Sequence, residues 1–166
     1  MDRLWTPWRY QYIKGAGAAE GAGDAAVCVF CALRDDPDND ARNYVVHRAR
    51  ANFVVLNLYP YTNGHLLVIP YEHAADLDAV AKETTDEMMD LAKRATTILR
   101  AAYRPHGFNL GMNLGQAAGA GVAAHLHLHV LPRWTGDASF MTTAGETRVL
   151  PEDLQTTYDR LRGQFA

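Results

Sequence analysis

The chain has 166 residues, of which 48% are hydrophobic and 21% charged, the balance of a folded protein with one domain. Nineteen acidic and sixteen basic residues leave a formal net charge of −3. This excludes the extended positive field that a nucleic acid polymer would need as a partner. No apolar run reaches the roughly 18 to 20 residues that span a bilayer, and the first residues lack the apolar core of a signal peptide. We therefore expect a cytoplasmic protein that does not enter a membrane.

The chain divides into three stretches within a single domain, 1–166. Residues 1–26 combine an aromatic segment with a Gly/Ala run typical of a flexible loop. Residues 27–141 carry the strand and helix patterns of the core. Residues 142–166 form a C-terminal tail that ends in a helix.

Short β-branched and apolar runs predict the strands of a sheet. Three of them lie at 44–46, 53–56 and 66–69, and the Asn63-Gly64 pair between the last two predicts an antiparallel hairpin. Two alternating runs follow later in the chain, at 108–114 and at 125–131, where Pro132 closes the strand.

Two helices are predicted. A long one covers 84–103, because Thr84 and Glu87 have the spacing of a capping box and apolar residues recur on one face. Pro105 and Gly107 end it. A short helix opens within 150–154, with Pro151 in its first turn. The fold class is therefore α+β.

Three histidines recur at every second position in the last strand. His125, His127 and His129 would leave one face of a strand roughly 7 Å apart, with aliphatic residues on the other face. Packing alone does not explain this pattern. Imidazoles in such a row either bind a transition metal or perform nucleophilic and acid–base chemistry. The Gly/Ala loop at 115–121 would let backbone N–H groups approach an anion, although it lacks the Lys-Ser/Thr of a P-loop.

The run from His125 to Pro132 resembles the signature of the histidine-triad (HIT) superfamily. Segment 57–65 resembles the Asn and Gly-His stretch of the family's first nucleotide-binding strands, and segments 4–9, 109–115 and 132–134 resemble the branch of diadenosine tetraphosphate phosphorylases and related hydrolases. The resemblance implies a HIT-like fold, with an antiparallel sheet of about five strands, one long helix and a C-terminal helix. It also implies a homodimer.

The resemblance assigns catalytic roles to three histidines. His127 would be the nucleophile that forms a covalent nucleotidyl-histidine, and imidazole suits this because its neutral nitrogen is nucleophilic near pH 7. His129 would help to hold the α-phosphate oxygens, and His65 would belong to the catalytic shell behind the triad.

Four further residues are candidates for nucleotide binding. Asn57 would bind ribose hydroxyls, and Asn113 would contact phosphate with Gln116 as a neighbour. Gly121 occupies a position where several branches have Ser, Thr or Gln. A backbone donor would have to serve there, which leaves the preferred polyphosphate or leaving group open.

The only two cysteines, Cys28 and Cys31, have the spacing of metal ligands. Two thiolates need two further ligands, for which His47, His73 and His125 are candidates; the alternative is a pair of buried free thiols. In zinc-bearing members of the resembled family the partners correspond to His73 and His125. The implied cofactor is a structural zinc ion, with no organic cofactor.

Three functions remain open. The first is the cleavage of a dinucleoside polyphosphate through His127, by phosphorolysis or hydrolysis. The second is a nucleoside phosphoramidase or nucleotidyl transferase with the same nucleophile. The third is a nucleotide-binding regulatory protein with little turnover.

Overall fold

The computed structural model describes residues 28–138, 142 and 150–165. The stretch 1–26 and residues 143–149 of the predicted tail lie outside them. The helices and strands confirm the α+β class and follow one another in this order: α1 (Val29–Arg34), β1 (Val45–Arg48), β2 (Asn52–Leu56), β3 (Leu66–Pro70), α2 (Lys82–Tyr103), β4 (Gly107–Gly111), β5 (Leu128–Arg133) and α3 (Leu154–Leu161).

The five strands form one antiparallel sheet in the order β1-β2-β3-β5-β4. β2 and β3 are the predicted hairpin, with Leu56 opposite Leu66 at its closed end. β5 lies between β3 and β4, so that His129 faces Leu67 on one side and Gly111 on the other. The histidine strand is therefore internal to the sheet.

The two faces of the sheet pack against different helices. Helix α2 covers one face with the buried residues Met88, Leu91, Ala92, Ala95 and Leu99, the spacing of a single helical stripe. The aliphatic residues that alternate with the histidines belong to this core, as predicted; they are Leu126, Leu128 and Val130. The opposite core contains Phe30 of α1 together with Val45, Phe53, Val55, Leu67 and Ile69.

The predicted capping box is wrong. Helix α2 begins at Lys82 after Ala81, without a side-chain cap, so Thr84 lies inside the first turn. The Glu87 carboxylate instead accepts hydrogen bonds at 2.8 Å from the Asn52 amide and at 2.7 Å from the backbone N–H of Ala51. A tertiary contact with β2 replaces the local cap.

The bounds of the later elements also differ from the prediction. β4 ends at Gly111, and β5 begins only at Leu128, so His125 and His127 precede it. Pro132 lies inside β5 and does not close it, because the ladder with β3 ends at the Leu66–Val130 pair. Pro151 precedes α3, whose N-cap is Asp153, with its carboxylate accepting the N–H of Thr156 at 2.7 Å.

Among the residues that the structure describes, the longest helix is α2, and no helix has the length and apolar character required to cross a bilayer.

Replacing Gly64 should destabilise the fold. Gly64 has φ +73°, and a Cβ there would lie 2.9 Å from Leu99 Cδ2 and 3.3 Å from Tyr103 Cε2. We expect Gly64→Ala to lower the free energy of unfolding by about 2 to 4 kcal/mol, from left-handed strain and overpacking, in urea denaturation. Gly107→Ala is the matched control, because no atom lies within 4 Å of its Cβ. Equal stability of the two variants would contradict the steric argument.

Candidate active site

His127 is held with one defined ring nitrogen available for chemistry. Its Nδ1 lies 2.9 Å from the backbone carbonyl oxygen of His125. Since a carbonyl can only accept, Nδ1 carries the proton and Nε2 carries the lone pair. Within the described residues no hydrogen bond reaches Nε2. The imidazole is 6% exposed, and this environment leaves a neutral nucleophilic nitrogen.

A chain of hydrogen bonds sets the tautomer of His129. The backbone N–H of Tyr61 donates to His65 Nδ1 at 3.2 Å, so the His65 proton is on Nε2. His65 Nε2 lies 2.9 Å from His129 Nδ1 and donates to it. The proton of His129 is therefore on Nε2, which is buried without a hydrogen-bond partner in the described part of the chain. A buried unpaired N–H is costly and indicates a donor for an anionic ligand.

Burial keeps the imidazoles of His127 and His129 neutral. Desolvation lowers the pKa of His127. For His129, desolvation and then the proximity of His127 lower the pKa to about 4. The rings of His127 and His129 are 4.9 Å apart between centroids, closer than the roughly 7 Å that a regular strand repeat gives, and only His129 lies within β5. At neutral pH the pair thus presents one lone pair and one N–H donor side by side.

The loop that precedes His65 is hydrogen-bonded to two other segments of the chain. Thr62 Oγ1 donates to the Pro132 carbonyl at 3.0 Å, and the Asn63 amide donates to the Glu152 carbonyl at 3.0 Å. The Glu152 carboxylate in turn accepts the Tyr103 hydroxyl at 2.6 Å. The C-terminal segment therefore helps to hold the hairpin loop that ends at His65.

Asn57 contacts the hydrogen-bond chain that runs from Tyr61 through His65 to His129. Its Oδ1 accepts the backbone N–H of Tyr59 at 2.9 Å, and its Nδ2 lies 3.3 Å from His65 Nδ1. The Oδ1 and the Nδ2 of Asn57 each retain one further hydrogen-bonding position. Asn57 thus supports the His65 tautomer and can still contact a ligand.

The other candidates for nucleotide binding lie in the loop after β4. Gly111 is paired with His129, and Asn113 follows two residues later, beyond the end of β4. Gln116 is exposed and begins a 3₁₀ turn, and Gly121 is also exposed. The φ value of +74° at Gly115 is one that glycine adopts readily, which permits the sharp turn into this loop.

Cys28, Cys31, His73 and His125 form a cluster whose ligand atoms all lie within 4.8 Å of one another. The Sγ of Cys28 is 3.3 Å from His125 Nδ1, and the Sγ of Cys31 is 3.2 Å from His73 Nδ1. Tetrahedral zinc separates its N and S ligands by about 3.3 to 3.8 Å. The cluster therefore has the composition and the spacing of a structural metal site.

His125 is prepared for metal binding. Its Nε2 lies 2.9 Å from the Pro70 carbonyl, so Nε2 carries the proton and the lone pair of Nδ1 faces the cluster. Burial lowers the pKa of His125, which favours the neutral ligand form. Burial, and then the neighbouring Cys28, raise the pKa of the Cys31 thiol, so a cation would be needed to hold both sulfurs as thiolates.

Comparison with known proteins identifies the family. The family model described as HIT domain matches residues 39–136, more than half of the chain. The chain belongs to the HIT family.

Named HIT relatives cover most of this chain. The AP-4-A phosphorylase of Mycobacterium tuberculosis is 38% identical over 166 residues, which is 100% of this chain and 85% of that protein. A Zn-bound histidine triad family protein from Mycobacterium smegmatis has a TM-score of 0.67 and 33% identity, over 83% of this chain and 92% of that one. A HIT family protein from Bacillus anthracis has a TM-score of 0.60 and 30% identity, over 68% of this chain and 77% of that one.

Sequence reasoning missed two residues that shape this HIT site. Phe30 lies between the two cysteines, and its ring centroid is 5.0 Å from that of His127. An aromatic residue inside a Cys-x-x-Cys turn was the available signal. Glu152 lies outside the residues that the family model matches, and no pattern in the sequence indicates its contact with Asn63. His106 accepts the backbone N–H of Thr135 at 2.9 Å, consistent with a structural position.

The buried His129 should make stability depend on pH. Its pKa falls to about 4 in the folded state from 6.5, so above pH 6.5 both states are neutral and nothing is gained or lost. As the pH falls from 6.5 towards 4, only the unfolded state binds a proton, and stability decreases by at most about 1.4 kcal/mol per pH unit. Urea unfolding at several pH values should show a shallower acid slope for His129→Asn. Parallel slopes would contradict this assignment.

Proposed function

We propose that this chain is a nucleotide-cleaving enzyme that acts on dinucleoside polyphosphates through a covalent nucleotidyl-histidine at His127. The observation that carries the proposal is the 2.9 Å hydrogen bond from His127 Nδ1 to the His125 carbonyl, which directs the lone pair to Nε2. The 38% identity to an AP-4-A phosphorylase supports diadenosine tetraphosphate as the substrate.

The reaction then has two displacement steps. In the first, His127 Nε2 attacks the α-phosphorus, the bond from that phosphorus to the bridging oxygen breaks, and ATP leaves. The imidazole keeps its Nδ1 proton, and the positive charge that develops on the ring is stabilised by the His125 carbonyl. In the second step, an oxygen of inorganic phosphate attacks the same phosphorus, the P–N bond breaks, and ADP is released.

His129 stabilises the charge on the phosphoryl oxygens. Its Nε2–H is the unpaired buried donor beside the nucleophile, and a hydrogen bond to a charged oxygen is worth more than one between neutral groups. His65 holds His129 in the donating tautomer. Asn113, Gln116 and the backbone at Gly121 would contact the phosphates, and Asn57 would use its remaining positions on the ribose.

Zinc is the metal that best fits the cluster. Two thiolates and two imidazoles complete a tetrahedral shell, which leaves no position for a substrate. The metal would supply structural stability by joining the Cys28–Cys31 turn to the sheet, and the reacting groups are those of the chain itself. The Zn-bound relative from Mycobacterium smegmatis supports this choice.

Zinc binding should depend on the four cluster residues. We expect about one zinc per chain, and we expect Cys28→Ser or His73→Asn to lose it together with several degrees of melting temperature. Atomic absorption and thermal unfolding measure both. Val29→Ala is the matched control, because Val29 lies on the same turn and is 49% exposed. Zinc retained in Cys28→Ser would show that the ligand set is wrong.

Turnover should require His127. We expect His127→Asn to lower the rate of diadenosine tetraphosphate cleavage by at least about a thousandfold, with AMP binding and melting temperature little changed. Wild-type protein quenched during turnover should carry an AMP adduct on the peptide that contains His127. His106→Asn, the same substitution at an exposed histidine, should retain wild-type activity. A His127→Asn enzyme with more than about a tenth of the wild-type rate would exclude covalent catalysis there.

The same assay separates the alternative functions. With inorganic phosphate, a phosphorylase yields ADP and ATP; a hydrolase yields AMP and ATP whether or not phosphate is added. We expect ADP, formed only when phosphate is present. Cleavage of a nucleoside phosphoramidate but not of the tetraphosphate would favour the phosphoramidase. Tight nucleotide binding without any adduct would favour a regulatory protein.

A further inference from the structure

Phe30 connects the metal cluster with the nucleophile. It lies between Cys28 and Cys31 in the sequence, and its side chain is 7% exposed. Its ring packs edge-on against His125, with 5.5 Å between centroids, and at 60° against His127, with 5.0 Å between centroids. A movement of this turn would therefore move the ring that borders the His127 imidazole.

His125 makes a second connection through its own backbone. Its side chain faces Cys28 and His73, each 3.3 Å from its Nδ1. Its carbonyl accepts the proton of His127 Nδ1 at 2.9 Å. The residue that helps to close the cluster thus also supplies the acceptor that orients the nucleophile.

The two ends of helix α1 are held by different interactions. At its C-terminal end, the Arg48 guanidinium donates to the carbonyl oxygens of Leu33 and Arg34 at 2.7 and 3.1 Å. At its N-terminal end, Cys28 and Cys31 face His125 and His73 of the cluster. Phe30 is at this second end, so its position depends on the cluster more than on Arg48.

We propose that the Cys28–Cys31 turn positions the nucleophile, with Phe30 as a positioning residue for His127, so that metal occupancy of the cluster sets the rate of the covalent step. This rests on the proposed function of His127. The expected signature is a change in kcat, since Phe30 holds the attacking ring. Loss of metal would release the turn, loosen Phe30 and the His125 carbonyl together, and let the imidazole leave its attacking orientation.

The first test compares Phe30→Leu, which keeps an apolar side chain without the ring, with Val29→Ala, a change at the exposed residue of the same turn. Zinc content, kcat, KM and the solvent-exchange rate of the His127 Nδ1–H are measured, the last by NMR on protein labelled with ¹⁵N-histidine. We expect both variants to retain about one zinc. Phe30→Leu should lose about tenfold or more in kcat, with KM within about threefold. Its Nδ1–H should exchange about tenfold faster, and Val29→Ala should match the wild type.

The second test removes zinc from the wild-type protein with a chelator and then restores it. We expect the exchange of the His127 Nδ1–H to accelerate and kcat to fall, and both to recover when zinc is added back, while the sheet signal in circular dichroism persists. This arm decides the proposal if Phe30→Leu does not fold. Unchanged exchange and kcat in zinc-free protein would overturn it.

Two further outcomes separate the possible failures. A raised KM with unchanged kcat in Phe30→Leu would overturn the positioning role and make Phe30 a nucleotide contact. If the wild type forms no nucleotidyl adduct, the proposed function fails. The exchange rate of the Nδ1–H then still decides whether the turn positions the ring.

Discussion

The site depends on one hydrogen bond, from the Nδ1–H of His127 to the backbone carbonyl of His125 two residues earlier. It prevents the imidazole from turning over and directs its lone pair to Nε2. The acceptor is itself held, because the His125 side chain is bonded to the Pro70 carbonyl at the end of β3 and faces the two cysteines. His125 therefore joins the sheet, the cluster and the His127 imidazole.

The histidines work as neutral groups. Burial lowers the pKa of His127 and of His129, because a charged imidazole loses its hydration in a medium of low dielectric constant. A neutral imidazole has one donor and one acceptor, so a directional chain from Tyr61 through His65 to His129 leaves a single N–H at its end. In the proposed reaction this donor meets the phosphoryl oxygens while the lone pair of His127 meets the phosphorus.

The two faces of the sheet carry different kinds of side chain. Alternation along the histidine segment places Leu126, Leu128 and Val130 against helix α2, while the histidines face the side that carries Phe30 and the cluster. The apolar side needs only volume and burial, so it anchors the strand without constraining the imidazoles. On the other side His65, His125 and His127 each have a hydrogen-bond partner, as buried polar groups generally do.

The sequence determined the features that arise from local periodicity. The alternation at 125–130 predicted which residues face the helix, the Asn63-Gly64 turn predicted the β2–β3 hairpin, and the stripe on α2 predicted its buried face. The Cys-x-x-Cys spacing together with the HIT resemblance predicted His73 and His125 as cluster members, and the structure brings all four together.

Only the tertiary structure decided the interactions between segments that are distant in the chain. The Glu87 carboxylate accepts hydrogen bonds from Ala51 and Asn52, which lie more than 30 residues earlier in the chain, and does not cap its own helix. The tautomer of His129 follows from the hydrogen bond of Tyr61 to His65 and from the contact of His65 with His129, and no local spacing specifies that long-range contact. Phe30 packs against the ring of His127 from a different part of the chain, and the contact between Asn63 and Glu152 spans 89 residues. Local patterns specify which face a residue occupies, whereas the partner it meets there depends on how the whole chain packs.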